Sequence, residues 1–387
     1  MPPANNSIYL VLKMKTGIYI HIPFCRKKCD YCSFYSIPVN DDATLIQSYV
    51  ERVIDEMSRL PEGWYGPDAD TIYFGGGTPS ILKAEQVESL IRAAGRRFNL
   101  DPESEITIEM NPDDLSGHKL DDFIASGVNR IVLGVQSLDD DLRKFIGRRN
   151  RWCGRDDLDL FFSHGKFTRC IDLITGIPGE YAGGKLSDLK AVTEFRPQHI
   201  SLYLLSVEDG TPLAARFRPD DSFEELQLEL WKESMDYLKD AGYSHYEISN
   251  YSLPGFESRH NSKYWHFVPY AGFGAGAHSF TGRERYTNEL GVQDYLKSGR
   301  VEYSFDKRDS SDVIVEFFMT ALRDLRGFTE SDFRKITGFD IPPGINKKIS
   351  EFISSGLLAA DNGRIHLTRD GLYRANRVIY AITEEYI

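Results

Sequence analysis

The first 250 residues repeat one pattern, a short apolar run followed by a segment with helical periodicity. The runs lack the polar alternation of half-exposed strands, which is typical of parallel strands buried on both faces. Segments 45–60 and 223–241 place their apolar residues on one helix face. Repeated βα units predict an α/β fold whose parallel sheet is a barrel or an open, doubly wound sheet. The predicted strands are Ile18–Ile22, Thr71–Phe74, Ile106–Met110, Ile131–Val135, Cys170–Ile174 and Ile200–Leu205.

Polar, glycine and proline residues cluster directly after each predicted strand. Because ligands of parallel α/β folds bind at the carboxyl ends of the strands, these clusters predict one shared site. The clusters fall at 21–25, 75–79, 109–112, 136–137, 172–179 and 206–212.

The pattern changes after about residue 290. Helical patterns at 311–325, 329–336 and 345–355 precede a predicted hairpin and a last helix, an order that resembles a winged-helix module. Residues 301–387 hold 12 Lys and Arg against 14 Asp and Glu, so partner contact is favoured over DNA binding. We divide the chain into an N-terminal extension at 1–13, a core at 14–290 and this module at 291–387.

Charge and hydropathy restrict the partners and the location. The net charge of −12 repels phosphate backbones, and no dense basic run offsets it, so no nucleic-acid partner is expected. The sequence lacks an apolar run of membrane-spanning length and a signal peptide with a cleavage site. We therefore expect a cytoplasmic protein, for which a peripheral membrane contact stays open.

Three of the five cysteines fall within eight residues, at Cys25, Cys29 and Cys32. Thiolates suit an iron–sulfur cluster or zinc. Three close cysteines without a fourth favour a 4Fe–4S cubane with one open iron, whereas structural zinc needs a fourth ligand, for which His21 is the candidate. Cys153 and Cys170 stand alone and are interpreted as small buried hydrophobes.

The Cys-x3-Cys-x2-Cys loop after the first strand, with Gly75-Gly-Gly-Thr-Pro79 after the second, resembles the radical S-adenosylmethionine superfamily. The strings at 19–25, 134–137, 171–174, 200–203, 260–265 and 272–279 are similar to one branch of it. That branch contains the oxygen-independent coproporphyrinogen III dehydrogenases and the heme chaperones of the HemW group. The resemblance implies a partial (β/α)6 barrel with a mainly helical, winged-helix-like C-terminal module.

The resemblance also implies that the open iron binds S-adenosylmethionine, which one electron from the cluster can cleave. Matching motifs assign the cofactor to Tyr19, Tyr31, Gly76, Gly77, Thr78, Glu109, Gln136, Arg148 and Asp172. Each residue also has a structural interpretation. The glycines could only turn the chain, Glu109 and Asp172 could cap helices, and Arg148 could lie on a solvated basic face.

Two features separate the members of the branch. The dehydrogenases carry a fourth cysteine at the position of Phe34, and His260-Asn-Ser-Lys-Tyr-Trp265 matches an element of the chaperones. The leading hypothesis is a heme chaperone that delivers heme to apo-hemoproteins and receives electrons from a donor. The alternatives are the dehydrogenase and a non-enzymatic scaffold that carries the cluster.

His260 is the candidate heme ligand, with Tyr264 and Trp265 available to stack on a porphyrin. The alternative is that His260 holds a loop by hydrogen bonds. The segment 152–165 departs from the family pattern because Gly154 and Gly165 interrupt it, so we expect a shortened or irregular helix there.

Replacing Cys25, Cys29 or Cys32 by Ala should abolish the brown absorption of anaerobically reconstituted protein, because each thiolate binds one iron. Replacing Cys153 or Cys170 should leave the absorption and about four irons per chain intact. Loss of the cluster from the Cys170 variant alone would overturn the assignment.

Overall fold

The computed structural model describes residues 14–40, 42–149, 151–288, 291–298 and 303–387. The predicted extension at 1–13 lies outside the described residues. All six predicted strands form. With two short additions in the cysteine loop, the strands of the first part of the chain are β1 Thr16–Ile22, β2 Phe24–Cys25, β3 Ile37–Pro38, β4 Asp68–Gly76, β5 Asn99–Met110, β6 Arg130–Gln136, β7 Thr168–Thr175 and β8 His199–Leu204.

Later strands extend the sheet or form the C-terminal hairpin. They are β9 Ser244–Glu247, β10 Asn250–Ser252, β11 Tyr270–Phe273, β12 His278–Phe280, β13 Arg285–Asn288, β14 Tyr303–Phe305, β15 Leu358–Asp361 and β16 Arg364–Leu367.

Helices occupy most of the connections between strands. The longer predicted helices, at 45–60 and 223–241, are confirmed as α1 and α8. The set is α1 Ala43–Arg59, α2 Ala84–Arg97, α3 Gly117–Ala125, α4 Asp140–Phe145, α5 Arg155–Ser163, α6 Ala182–Thr193, α7 Pro212–Arg216, α8 Asp221–Asp240, α9 Arg259–Trp265, α10 Val292–Lys297, α11 Ser310–Ala321, α12 Glu330–Thr337, α13 Pro343–Ser354, α14 Arg369–Leu372 and α15 Ala375–Thr383, with single 3-10 turns at Pro79–Ile81, Pro112–Asp114 and Glu384–Tyr386.

One twelve-stranded sheet organises the chain, in the order β14-β13-β12-β11-β1-β4-β5-β6-β7-β8-β10-β9. The run from β11 to β8 is parallel throughout, and the strands outside it pair antiparallel. The six predicted strands are neighbours in chain order, so their carboxyl ends lie at one end of a partial (β/α)6 barrel. The alternative of an open, doubly wound sheet is not what forms.

Helix α5 is short, as expected, and lies between two glycines. Gly154 precedes its first residue, and Gly165, with φ of +58°, follows its end. The lone thiols of Cys153 and Cys170 are both fully buried, which confirms their interpretation as small core residues.

Helix α9 covers the amino end of the barrel. The backbone amides of Arg259 and His260 donate to the Glu105 carboxylate at 3.1 and 3.0 Å. The Lys263 ammonium donates to the carbonyl oxygen of Lys15 at 2.8 Å and pairs with Asp70 at 2.7 Å. These contacts tie the helix to the starts of β1 and β4 and to the middle of β5, on the side away from the predicted site.

The C-terminal helices and the β15–β16 hairpin follow the predicted order. The predicted boundary after residue 290 falls inside the main sheet, because β14 lies beyond it and pairs with β13. We therefore propose that the module starts at α11. The Phe317 ring on α11 stacks on Phe267 with ring centroids 6.0 Å apart, which joins the module to the barrel's core. Among the described residues, no helix is long and apolar enough to cross a membrane.

A buried carboxylate on α1 holds the edge of the barrel. Glu56 accepts from the Gly274 amide at 2.9 Å, the Asn288 amide at 2.7 Å and the Tyr295 hydroxyl at 2.6 Å. Burial raises the pKa of Glu56 to about 7, although these hydrogen bonds oppose the shift.

The folded-state pKa of Glu56 lies above its ordinary value, so its contribution to stability is present at low pH and is lost as the pH rises through about 7. We expect Glu56→Gln to reduce the fall in unfolding free energy between pH 4.5 and 8 by on the order of 2–3 kcal/mol. Urea unfolding across this range would measure it. Glu51→Gln, an exposed change on the same helix, is the control, and an equal pH dependence in both variants would contradict the prediction.

Candidate functional site

A cavity of about 350 Å³ opens at the carboxyl end of the barrel. Its wall combines the cysteine loop after β1 with the ends of β4 to β8. All of the predicted cluster and cofactor residues except Tyr19 line it, namely Cys25, Cys29, Tyr31, Cys32, Gly76, Gly77, Thr78, Glu109, Gln136, Arg148 and Asp172. The structure therefore brings together residues that are up to 147 positions apart, from Cys25 to Asp172.

The cysteine loop is framed by short parallel pairing between β2 and β3, which matches Cys25 with Pro38. The Thr78 hydroxyl donates to the Cys25 sulfur at 3.6 Å, and Arg148 donates to the Cys29 sulfur at 3.7 Å. Burial raises the pKa of the Cys25 and Cys32 thiols. Metal ligation reverses this effect, because a bound cation stabilises the thiolate.

The contacts of His21 argue against a structural zinc site on these thiols. Among the residues that the structure describes, no three His, Cys, Asp or Glu side chains converge closely enough for one metal ion. In a cubane each thiolate binds a different iron, so such convergence is not required. Both ring nitrogens of His21 are already hydrogen-bonded, to the Tyr19 hydroxyl and the Tyr35 carbonyl oxygen at 3.0 Å each, which removes it as a fourth zinc ligand.

The glycines after β4 are required by close packing against the cysteine loop. A Cβ on Gly77 would lie 2.6 Å from the Phe24 carbonyl oxygen, and Gly76 has φ of +109°. The amides of Gly77 and Thr78 donate to the carbonyl oxygens of Ile22 and Phe24 at 2.8 Å each. The glycine string thus holds the cysteine loop at the cavity and presents backbone to a ligand.

Arg148 lies on the cavity wall and is 9% exposed, which is incompatible with a solvated basic face. Its guanidinium donates to the Gly134 carbonyl oxygen at 2.7 Å and to the Asn111 side-chain oxygen at 2.8 Å. The Asn111 amide in turn donates to the Thr78 hydroxyl at 3.0 Å. One cation therefore connects β6, the loop after β5, the glycine string and the cysteine loop.

Two carboxyl groups face the cavity from β5 and β7. Burial raises the pKa of Glu109 to about 7, with a further contribution from the charge of Asp172. Burial also raises the pKa of Asp172 to about 6. The Tyr73 hydroxyl donates to Glu109 at 2.8 Å, whereas Oδ1 of Asp172 is buried without a hydrogen-bond partner. An ammonium or hydroxyl group of a ligand would satisfy that oxygen.

Gln136 and Tyr31 complete the predicted wall. Gln136 is a non-glycine residue with φ of +68° at the end of β6, a conformation that such residues adopt rarely. Burial raises the pKa of the Tyr31 hydroxyl, and the charge of Arg148 opposes that shift.

Two sequence assignments lie away from the cavity. Tyr19 sits one layer deeper in the barrel, where its ring stacks on Tyr73 with centroids 6.3 Å apart, so it does not reach the cavity wall. His260 is fully buried beneath that layer on α9. Its ring nitrogens are 2.8 Å from the Thr71 and Tyr264 hydroxyls, and burial lowers its pKa to about 3. In this conformation a heme iron cannot reach His260, so we do not retain it as a ligand candidate.

Sequence reasoning missed a fully buried cation behind the wall. The Lys185 ammonium lies 3.0 Å from Glu180 and 3.5 Å from Asp188, and donates to the Ile174 carbonyl oxygen at 2.8 Å. Asp188 accepts from the Ser137 hydroxyl at 2.7 Å. This network fixes the ends of β6 and β7. A Lys in an otherwise ordinary helix gives no sequence signal of burial, and Asn111 is likewise visible only through its contacts.

Comparison with known proteins agrees with this geometry. Residues 19–184 match the domain family described as Radical SAM superfamily, and residues 309–374 match the HemN C-terminal domain. Heme chaperone HemW of Lactococcus lactis is 34% identical over 378 residues, covering 95% of this chain and 97% of the relative. Heme chaperone HemW of Escherichia coli is 30% identical over 372 residues, covering 94% and 97%.

The solved structure of coproporphyrinogen III oxidase (HemN) from Escherichia coli has the same fold. It matches with a TM-score of 0.80 and 20% identity, over 98% of this chain and 92% of that one. The barrel, the cysteine loop and the domain match together place the chain in the class of radical SAM proteins. Proteins of this class hold a 4Fe–4S cluster and S-adenosylmethionine. Within that class, relatives that match almost end to end show that the chain belongs to the HemW family of heme chaperones.

Glu109→Gln, Arg148→Ala and Asp172→Asn should each weaken S-adenosylmethionine binding about ten- to a hundredfold, because each removes a charged hydrogen-bond partner. The cluster should persist in the Glu109 and Asp172 variants, whereas Arg148→Ala should also lower the iron content because Arg148 donates to the Cys29 sulfur. Wild-type binding should also weaken as the pH falls from 8 to 5.5, since Glu109 and Asp172 become neutral and no longer attract the cationic ligand. Calorimetric titration under anaerobic conditions measures both effects. Unchanged affinity in all three variants would remove these residues from the site.

Proposed function

We propose that this protein binds heme and transfers it to apo-hemoproteins in the cytoplasm, with the cluster on Cys25, Cys29 and Cys32 and S-adenosylmethionine in the cavity. The heme acceptors and an electron donor are its partners. The proposal rests on one observation, the presence of Phe at position 34. A dehydrogenase of this branch has a fourth cysteine there, whereas here a phenyl ring lines the cavity with 68% of its surface exposed. The names of the relatives support the same function.

In this proposal the chain's own residues prepare the cavity for both cofactors. The three thiols hold the cluster, and Arg148 stabilises the thiolate of Cys29, to which it donates at 3.7 Å. The bound cofactor pair supplies radical chemistry when an electron reaches it. Glu109, Asp172 and the backbone of the glycine string orient the ammonium group of S-adenosylmethionine.

Coproporphyrinogen dehydrogenase activity is the alternative, raised by the likeness of the fold to HemN. That likeness, at 20% identity, concerns the fold and does not extend to the substrate. A scaffold that carries the cluster without binding heme is the third hypothesis.

One anaerobic experiment separates the three functions. Reconstituted protein is mixed with ferric heme, passed through a desalting column and incubated with an apo-cytochrome, and the Soret band is followed in both proteins. The chaperone should retain heme and pass it on without consuming coproporphyrinogen III in a parallel assay with S-adenosylmethionine and reductant. Conversion of coproporphyrinogen III would establish the dehydrogenase, and absence of both activities would favour the scaffold.

A further inference from the structure

The cavity has two zones of different chemistry. Its depth is buried and carries charged and polar side chains, with Gln136 8% and Arg148 9% exposed. Its outer edge is apolar and basic. We call this edge the rim, which consists of Lys27, Lys28, Phe34, Tyr203 and Leu204.

The rim leaves large apolar side chains in water. Phe34 is 68% exposed, and Tyr203 and Leu204 are 40% exposed each. Exposed apolar side chains at the mouth of a cavity indicate a binding site, because covering them stabilises a complex. Phe34 comes from the cysteine loop, which follows β1, and Tyr203 and Leu204 come from the end of β8. The apolar side chains therefore stand beside the first and the last of the six predicted strands.

Two lysines give the rim a local positive charge on a chain of net charge −12. The Lys28 ammonium donates to the Phe34 carbonyl oxygen at 3.0 Å, which holds this cation at the backbone of the loop that carries Phe34. Lys27 is exposed on the same loop. Glu208 also lines this part of the cavity, and its carboxylate accepts from the Ser206 hydroxyl.

We propose that the rim is the surface on which heme docks. This inference rests on the proposed function and adds the position of the ligand. Heme is a flat apolar macrocycle with two carboxylates on one edge. The exposed Phe34, Tyr203 and Leu204 cover its faces, and Lys27 and Lys28 pair with the propionates. Heme then lies over the opening, outside the buried residues that surround S-adenosylmethionine.

The test is ferric heme titration of the full-length, cluster-loaded protein. Phe34→Ala and Leu204→Asp should weaken heme binding about ten- to thirtyfold, because the macrocycle loses apolar contact. The double variant Lys27→Glu with Lys28→Glu should weaken heme binding similarly, and should leave binding of heme dimethyl ester, which lacks the propionate charges, unchanged. Tyr181→Ala and Lys347→Glu are matched controls, since Tyr181 is 67% exposed and Lys347 80% exposed, and both lie outside the cavity lining.

Iron content and S-adenosylmethionine affinity are measured in every variant. If a change in the cysteine loop disturbs the cluster, the decision passes to Leu204→Asp, which lies at the end of β8. If that variant and every cluster-loaded rim variant bind heme with wild-type affinity, the rim is not the heme site, and the proposed function still stands. Failure of the wild-type protein to bind heme would overturn the proposed function itself.

Discussion

The site depends on the buried guanidinium of Arg148. A buried cation is costly unless it finds polar partners, and the two terminal nitrogens of this one reach the Gly134 carbonyl oxygen, the Asn111 amide oxygen and the Cys29 sulfur, while its Nε is buried without a partner among the described residues. Those partners belong to β6, to the loop after β5 and to the cysteine loop. The geometry of the thiols is thereby coupled to the geometry of the strand ends, so the cluster site and the cofactor pocket form one unit.

Below this unit, successive layers of polar side chains fill the barrel interior toward its amino end. Tyr19 and Tyr73 form one layer, and His260 lies beneath them, with Glu105 and Arg130 3.8 Å apart near the amino end. Helix α9 supplies His260, and its first backbone amides donate to the Glu105 carboxylate. The polar interior explains how Glu109 and Asp172 can lie half-buried and still reach the cavity from β5 and β7, the two strands that flank β6.

The fold and most of the cavity wall could be predicted, because parallel strands bring their carboxyl ends together whatever the details of packing. Motif residues after those strands therefore meet by topology alone. Tyr19 and His260 are different, since their roles depend on depth along the barrel axis. The motif at 260–265 marks His260 as a candidate functional residue. It does not show that α9 places His260 near the amino end of the barrel. Lys185 and Asn111 act through tertiary contacts that no local pattern specifies.

The closed amino end has a consequence for the order in which ligands load. Because α9 covers that end, S-adenosylmethionine must pass the rim to reach the buried carboxylates. If heme docks on the rim as proposed, it blocks the exit of S-adenosylmethionine from the cavity. Loading then follows a first-in, last-out sequence, in which heme must depart before S-adenosylmethionine or its cleavage products can exchange. Heme release to an acceptor would in this way reset the protein for its next cycle.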